Sequence, residues 1–294
     1  MFVAVLCDNP ELRENFCKLM GTEVSKDDLG IYSSNANNRN IWFIDPIHYP
    51  EKIQPLLYSL SMADVVVFII DNLSPKVGEL LVAINSMKIA KGIIISNLQL
   101  PVIGTVLEKY EKVADMDAAK EKVLNLSTGE QGEALIGLIH KTSSIPSVGN
   151  VACGALKSGK VKKHDSLFVL PVGKDFEIRS IHVDGKEIEE LSATSHFEIS
   201  YKGDLVEHGI LTSLRHDFQV ETMVNGKFIK SPFFKDELKG KIHAYVNMQY
   251  VEGHVTDIDL NLSVPLAFEK GESILIIDAS NQKLRIAGVF QSKW

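Results

Sequence analysis

Between its first predicted strand and its first predicted helix, this sequence has neither glycine nor lysine. The run Phe2-Val3-Ala4-Val5-Leu6 reads as a buried strand, and Pro10 to Met20 as a helix with Leu12, Phe16 and Leu19 on one face. A strand, loop and helix in that order can cradle a polyphosphate. Doing so takes glycines for close backbone approach, a Lys for the outer phosphates and a Ser or Thr hydroxyl for Mg²⁺. The connection here is Cys7-Asp8-Asn9-Pro10-Glu11-Leu12. Asp8 or Asn9 caps the helix, Pro10 suits its first position, and Asp8 with Glu11 supplies negative charge to the positive end of the dipole. A phosphate arriving there meets carboxylates instead of bare N–H groups.

Other things are scarce too. The longest apolar stretches, Val65 to Ile70 and Gly92 to Ile95, are strand-sized and far short of a membrane span, and no basic leader with a cleavage site opens the chain. Export and a membrane partner are therefore not expected. Three cysteines, Cys7, Cys17 and Cys153, are scattered without zinc-ligand spacing, as reduced thiols in a cytoplasmic setting would be. The net charge of −7 argues against indiscriminate nucleic-acid binding. Residues 1–142 carry 13 Lys and Arg against 18 Asp and Glu, while 143–294 carry 18 against 20 and seven of the nine histidines. Any RNA-contacting surface is expected in the second half.

What is present is a change of rhythm. Up to about residue 142, apolar runs at Val3–Leu6, Gly30–Ser33, Ile41–Asp45, Val65–Asp71, Gly92–Ser96 and Val123–Leu126 alternate with helical patterns near Tyr49–Leu60, Pro75–Ile89, Val102–Lys112 and Glu130–His140. This predicts a largely parallel, doubly wound sheet covered on both faces. The turn-rich segment Asn35 to Asn40 adds one hairpin. After Lys141-Thr142-Ser143-Ser144 the pattern becomes short strands between Gly, Asp and Asn turns, which reads as closed β-barrels. Pro232 and Lys235-Asp236-Glu237 suggest a join between two unlike ones. The expected division is 1–142 for the α/β domain, 143–230 for one barrel and 231–294 for the next, a multidomain α/β plus all-β chain.

The segment Ile145-Pro146-Ser147-Val148-Gly149-Asn150-Val151-Ala152-Cys153-Gly154-Ala155-Leu156-Lys157-Ser158-Gly159-Lys160-Val161 resembles the second domain of the translational GTPases around elongation factor Tu. The likeness runs on through Asp165-Ser166-Leu167-Phe168-Val169-Leu170-Pro171, Ile178-Arg179-Ser180-Ile181-His182, and Lys202-Gly203 to His208-Gly209-Ile210-Leu211. In the first domain the family's frame is similar while its chemistry is missing. Asp45-Pro46-Ile47-His48 stands where the family has Asp-x-x-Gly-His, so the Mg²⁺-side Asp remains and the glycine that senses the γ-phosphate does not. Ala63-Asp64 with Val65 to Asp71 resembles the next strand, and Glu79-Leu80-Leu81 the helix after it. Ser96-Asn97-Leu98-Gln99 replaces the guanine-reading Asn/Thr-Lys-x-Asp. An amide at Gln99 offers one acceptor oxygen, and its NH₂ cannot accept from guanine N1 and N2. Leu126-Ser127-Thr128-Gly129-Glu130 resembles the last guanine motif.

The resemblance is narrowest to archaeal relatives of the selenocysteine-specific elongation factor, without the domain that follows the third in the full factor. It implies a pseudo-GTPase acting in or near translation, with Asp8, Glu11, Asp45, His48, Ser96, Asn97 and Gln99 as vestigial nucleotide-site positions. Asp45 then serves a turn instead of holding a metal, and His48 has no triphosphate to act on. No cofactor, metal or catalytic residue is expected, and tRNA or a ribosome-associated partner is, with no DNA partner and a monomeric chain. Arg179, His182, Lys160, Lys162 and Lys163 are the candidate RNA contacts. Two alternatives stand beside this: a divergent active GTPase holding GTP and Mg²⁺ by unfamiliar contacts, and a scaffold for a protein partner.

Overall fold

Seven strands form the sheet of the first part of the chain: β1 (Phe2–Leu6), β2 (Thr22–Lys26), β3 (Gly30–Ala36), β4 (Arg39–Asp45), β5 (Val65–Ile69), β6 (Gly92–Ile95) and β7 (Glu111–Val113). Their spatial order is β2-β3-β4-β1-β5-β6-β7. β1 is parallel to both β4 and β5, and β5–β6–β7 continue in parallel, while β2–β3–β4 run antiparallel to one another. The chain thus goes leftward from β1 and returns to its right through helix α2 (Gln54–Met62). That reversal puts a crevice at the carboxyl ends of β1, β4 and β5. The computed structural model describes residues 1–37, 39–100, 104–127, 132–214, 217–238 and 240–293.

β1, β5 and the inner part of β4 are wholly buried, as the unbroken apolar runs require of strands covered on both faces. Helix α1 (Pro10–Met20) lays Phe16, Cys17 and Met20 on Val3, Val5, Phe43 and Val67, and helix α4 (Met116–Asn125) adds Ala119 and Val123 to the same core. Leu19, expected on that face, is 37% exposed, and Arg13 is buried in its stead. Helix α3 (Pro75–Ser86) is capped by Ser74, whose Oγ accepts from the Val77 N–H at 3.1 Å.

Several sequence expectations are corrected. Val123–Leu126, expected as a strand, is the last turn of α4 and its cap, because a four-residue apolar run carries no period of its own. In the helix expected over Tyr49–Leu60, regular structure begins only at Gln54. The helix expected near Val102–Lys112 is a 3-10 turn at Val106–Lys109 followed by β7, with Val102 and Ile103 outside the described residues. For Glu130–His140, Glu130 and Gln131 lie outside the described residues and Ile136–His140 are strand.

The first barrel is built from β8 (Ile136–Ile145), β9 (Gly149–Ser158), β11 (Ser166–Leu170), β12 (Lys174–Val183), β15 (Ser195–Lys202) and β16 (Gly209–Thr212). The order β11-β16-β8-β9-β15-β12 closes through β11–β12, with β13 (Lys186–Ile188) added on β12 and β10 (Lys160–Lys162) paired separately to β14 (Glu190–Ser192). Its first strand begins at Ile136, ahead of residue 142. Inside lie Ile139, Ala152, Leu156, Phe176, Phe197, Ile199 and Tyr201, the last stacked on Phe176 at 3.9 Å between ring centroids. The second barrel closes as β17-β20-β19-β18-β21-β22, from β17 (Phe218–Lys230), β18 (Ile242–Val246), β19 (Gln249–Val255), β20 (Asp259–Glu269), β21 (Ser273–Ile277) and β22 (Ile286–Ser292).

Gly154 marks how tightly the first barrel is drawn. A Cβ there would lie 2.2 Å from the Leu138 carbonyl oxygen and 2.6 Å from the Phe197 ring. Gly154→Ala is expected to cost about 1–3 kcal/mol through forced shifts of backbone and ring. Thermal denaturation checks this, and an unchanged midpoint would refute it.

The chain divides into two compact units that are discontinuous in sequence. One is Met1–Gly129 with Ser231–Asp236 and Asp278–Ala287, and the other is Glu130–Lys230 with Glu237–Ile277 and Gly288–Trp294. The segment Asp278–Ala287 therefore belongs with the seven-stranded sheet. No helix among the described residues is long and apolar enough to cross a membrane.

Candidate functional site

At the crevice where a doubly wound sheet holds its ligand, only Cys7, Asp8 and Asn9 separate the end of β1 from the start of α1. A phosphate-binding loop sets its lysine about six residues beyond its first glycine. Three residues cannot wrap an anion. The Asn9 side chain accepts from the Glu11 N–H at 3.0 Å, so the open helix end is already capped from within. Asp8 accepts the Ser74 hydroxyl at 2.6 Å, and Glu11 stands exposed at the rim.

The positive charge of the site points inward. Arg13, one turn into α1, is fully buried, and its guanidinium donates from Nε to Asp45 Oδ1 at 2.8 Å and from Nη1 to the Cys7 carbonyl at 2.6 Å. Nη2 donates to the Pro46 and Tyr49 carbonyls at 3.2 and 2.9 Å. A planar fork with five donors suits this ring of acceptors as a lysine would not. Burial raises the Asp45 pKa, and the charge and hydrogen bond of Arg13 draw it partly back, leaving it above its ordinary value. The Asp that resembled a Mg²⁺ ligand thus already has a cation.

Cys7 Sγ and carboxylate oxygens of Asp8 and Asp71 lie within 4.8 Å of one another at the same edge. Burial is the main cause that pushes the Cys7 thiol up to about 12. The Asn9 N–H works against it, and Asp8 and Asp71 add to it. A protonated thiol is a poor metal ligand, since the thiolate is the binding form. The cluster gives this edge a negative rim.

The other residues expected as vestigial nucleotide-site positions, His48, Ser96, Asn97 and Gln99, have other partners or surroundings. His48 is half-exposed, with Nε2 3.6 Å from Asp28 Oδ1. Ser96 is buried, its Oγ accepting from the Leu98 N–H at 3.1 Å, and Lys112 donates to the Leu98 carbonyl. Asn97 and Gln99 are exposed on that turn. Of Leu126 to Glu130, residues 128–130 lie outside the described residues.

A second buried cluster continues from the first and was not read from sequence. Tyr49, whose carbonyl accepts from Arg13, donates its hydroxyl to Glu79 Oε2 at 3.2 Å and to the Lys76 carbonyl at 3.0 Å. Glu79 Oε1 accepts from the backbone N–H and Nε of Arg285 at 2.9 and 3.0 Å, and Oε2 accepts from Arg285 Nη2. The Arg285 guanidinium lies 5.7 Å from the Tyr49 ring centroid, and Nη1 donates to the Glu51 carbonyl at 3.3 Å. Burial alone would raise the Glu79 pKa, but the side-chain and backbone hydrogen bonds and charge of Arg285 outweigh it and lower it.

In the first barrel, the basic candidates are largely neutralised. Lys160 and Lys162 pair with Glu190 at 3.4 and 3.0 Å, and Lys163 with Glu187 and Glu189 at 2.7 and 2.8 Å. Half-buried His182 lies between Glu187 and Glu198 in register. Arg179 differs. It is the extra residue of a β-bulge between Ile178 and Ser180, exposed beside Gly149, with no carboxylate partner among the described residues.

The same barrel holds a histidine pair. His140 sits at a register shift of β8 between Ile139 and Lys141, and its Nε2 lies 3.2 Å from Nε2 of His196 on β15. One ring must donate and the other accept, so at least one is neutral. Burial holds His196 down to about 4 and His140 well below its ordinary value, with the charges of His196, His208 and Lys141 adding to the effect on His140.

A mixed sheet with this strand order, followed by two six-stranded barrels, is the fold of the translational GTPase-like elongation factors of the selenocysteine-specific type. The structure of SelB from Methanococcus maripaludis in complex with the GTP analogue GppNHp superposes with a TM-score of 0.81 at 18% identity, covering 100% of this chain and 79% of that one. The apo form of that factor gives 0.78 at 17%, with the same coverage. A bacterial selenocysteine-specific elongation factor, EF-Sec, gives 0.73 at 17%, covering 98% of this chain and 58% of that one. By sequence, an uncharacterized protein of Methanocaldococcus jannaschii is 26% identical over 298 residues, covering 94% of this chain and 95% of its own. No protein-family model matches the chain.

Proposed function

We propose that this protein is an elongation-factor-like pseudo-GTPase that binds tRNA, or a ribosome-associated component of translation, without nucleotide switching. The carrying observation is Arg13. Its guanidinium fills the acceptors at the phosphate end of the sheet, behind a connection too short to cradle an anion. In a switching GTPase the γ-phosphate orders the mobile loops and hydrolysis releases them. With Asp45 tied to Arg13 and an acidic rim outside, GTP and Mg²⁺ have no differential contact with which to shift an equilibrium. The protein then works as a cytoplasmic monomer with no cofactor, and catalyses no hydrolysis.

Among the candidate RNA contacts, the lysines at Lys160, Lys162 and Lys163 offer little net charge to a phosphate, because Glu187, Glu189 and Glu190 face them. Arg179 is the stronger candidate, exposed on a bulge and with no carboxylate partner among the described residues.

Two titrations test the reading. Fluorescent GTP with Mg²⁺ is expected to show no saturable binding in the micromolar range, and saturation there would establish the active-GTPase alternative. Bulk tRNA is expected to bind with a salt-dependent affinity, and Arg179→Ala to reduce the slope of log affinity against log salt by about 1. Absence of any tRNA binding at low salt would leave the protein-scaffold alternative in its place.

A further inference from the structure

We propose that Arg13 is a built-in substitute for a bound ligand, and that the seating of residues 278–287 in the first unit depends on it through Tyr49. This rests on the reading that no nucleotide occupies the crevice. Tyr49 is the hub. Its carbonyl accepts from Arg13, its hydroxyl donates to Glu79, and its ring lies under the Arg285 guanidinium. Arg13, Tyr49 and Glu79 are all fully buried and Arg285 nearly so, so none of these contacts is weakened by water.

The four groups form one continuous path from the phosphate end of β1 to the chain segment that precedes β22. Arg13 grips the backbone at Pro46 and Tyr49 and the side chain of Asp45. It thereby fixes the direction in which the Tyr49 side chain leaves the backbone. Glu79 accepts three hydrogen bonds from Arg285, one of them from its backbone N–H, so the position of the main chain at residue 285 is set by the carboxylate and not only the side chain. A displacement of Tyr49 removes a donor from Glu79 and the ring beneath Arg285 together. The cation that organises this segment is thus part of the chain, permanently present and independent of any ligand concentration.

Coupling between sites is a free-energy difference carried by packed, bonded groups, and a double-mutant cycle reads it directly. Hydrogen exchange resolves where it acts. Arg13→Met keeps much of the buried volume while deleting the donors, and Tyr49→Phe deletes only the hydroxyl. In the full chain, exchange in peptides covering 278–287 is expected to accelerate at least tenfold in Arg13→Met and by a smaller factor in Tyr49→Phe. Ethylguanidinium at non-denaturing concentration is expected to slow it again in Arg13→Ala but not in the wild type.

Should Arg13→Met and Arg13→Ala not fold, Arg13→Lys, which keeps the charge but loses the forked donors, carries the test, and Tyr49→Phe reads the Tyr49–Glu79 step separately. Acceleration confined to 7–13 and 45–52, with 278–287 unchanged, overturns the proposal, as does strict additivity of Arg13→Met with Arg285→Met in urea unfolding. Titration of the wild type with GTP runs in parallel: nucleotide binding there would defeat the pseudo-GTPase reading, while the exchange pattern answers separately for the coupling.

Discussion

Glu79→Ala is expected to destabilise the protein by about 3–5 kcal/mol, measured by urea unfolding at neutral pH. Removing one member of a buried ion pair leaves its partner as an uncompensated charge in a low-dielectric site, and that penalty exceeds the net worth of the pair. Here the stranded charge is Arg285, 7% exposed, which would lose the carboxylate that accepts from its backbone N–H, Nε and Nη2. The Tyr49 hydroxyl would lose one of its two acceptors as well. Replacing both partners with apolar groups of similar length, Glu79→Met with Arg285→Met, is expected to cost less than either single deletion, because neither charge is then stranded. A loss below about 1 kcal/mol for Glu79→Ala would show that water reaches the pair on mutation.

Acidification is the second large effect, and it belongs to the first barrel. His196 has a folded pKa of about 4 against an ordinary 6.5. The unfolded chain therefore takes up a proton that the folded one refuses, and stability falls as pH drops from about 6.5 through about 4. Each pH unit inside that window costs about 1.4 kcal/mol per histidine, so pH 5 is expected to be weaker than pH 7 by about 2 kcal/mol from His196 alone. His140 adds in the same direction, with His208 and Lys141 facing it. Glu79 contributes at lower pH: its folded pKa is depressed, so its stabilisation is lost only as pH falls through that value. Urea midpoints across pH 7 to 5 check the slope, and His140→Gln with His196→Gln should flatten it. A flat wild-type profile would mean that the imidazoles protonate without leaving the barrel.

The fold was legible where local chemistry decides it. Gly and Asn turns at regular spacing placed the barrel strands, and the buried runs Phe2 to Leu6 and Val65 to Ile69 placed the centre of the sheet. Reading failed where period and partner disagree. Val123 is apolar because α4 packs it on the sheet, and four residues are too few to reveal which period they follow. Ile136 to His140 lies in a strand whose partner, β9, follows only after a turn, and register shifts interrupt its alternation. β2, with no buried residue, carries no apolar signal.

The site was legible as a set of losses and illegible as a construction. The missing glycines and lysine announce themselves in six residues. Little near Arg13 shows that it turns inward, since apart from the Cys7 carbonyl six residues before it the acceptors lie 32 to 36 residues away at Asp45, Pro46 and Tyr49. The pairing of His140 with His196 spans 56 residues, and that of Glu79 with Arg285 spans 206. A charged residue in a helix or a lone histidine in a strand has an ordinary surface role by default, and only a distant partner overrides it.

That last separation bears on how the molecule is made. A chain emerging from the ribosome presents Glu79 long before Arg285 has been translated, so the α/β sheet can assemble early but holds an unmatched carboxylate until residues 278–287 arrive. Fragments ending near residue 129 or 230 would carry this defect permanently, and the first unit reaches its finished state only when nearly the whole polypeptide has been synthesised.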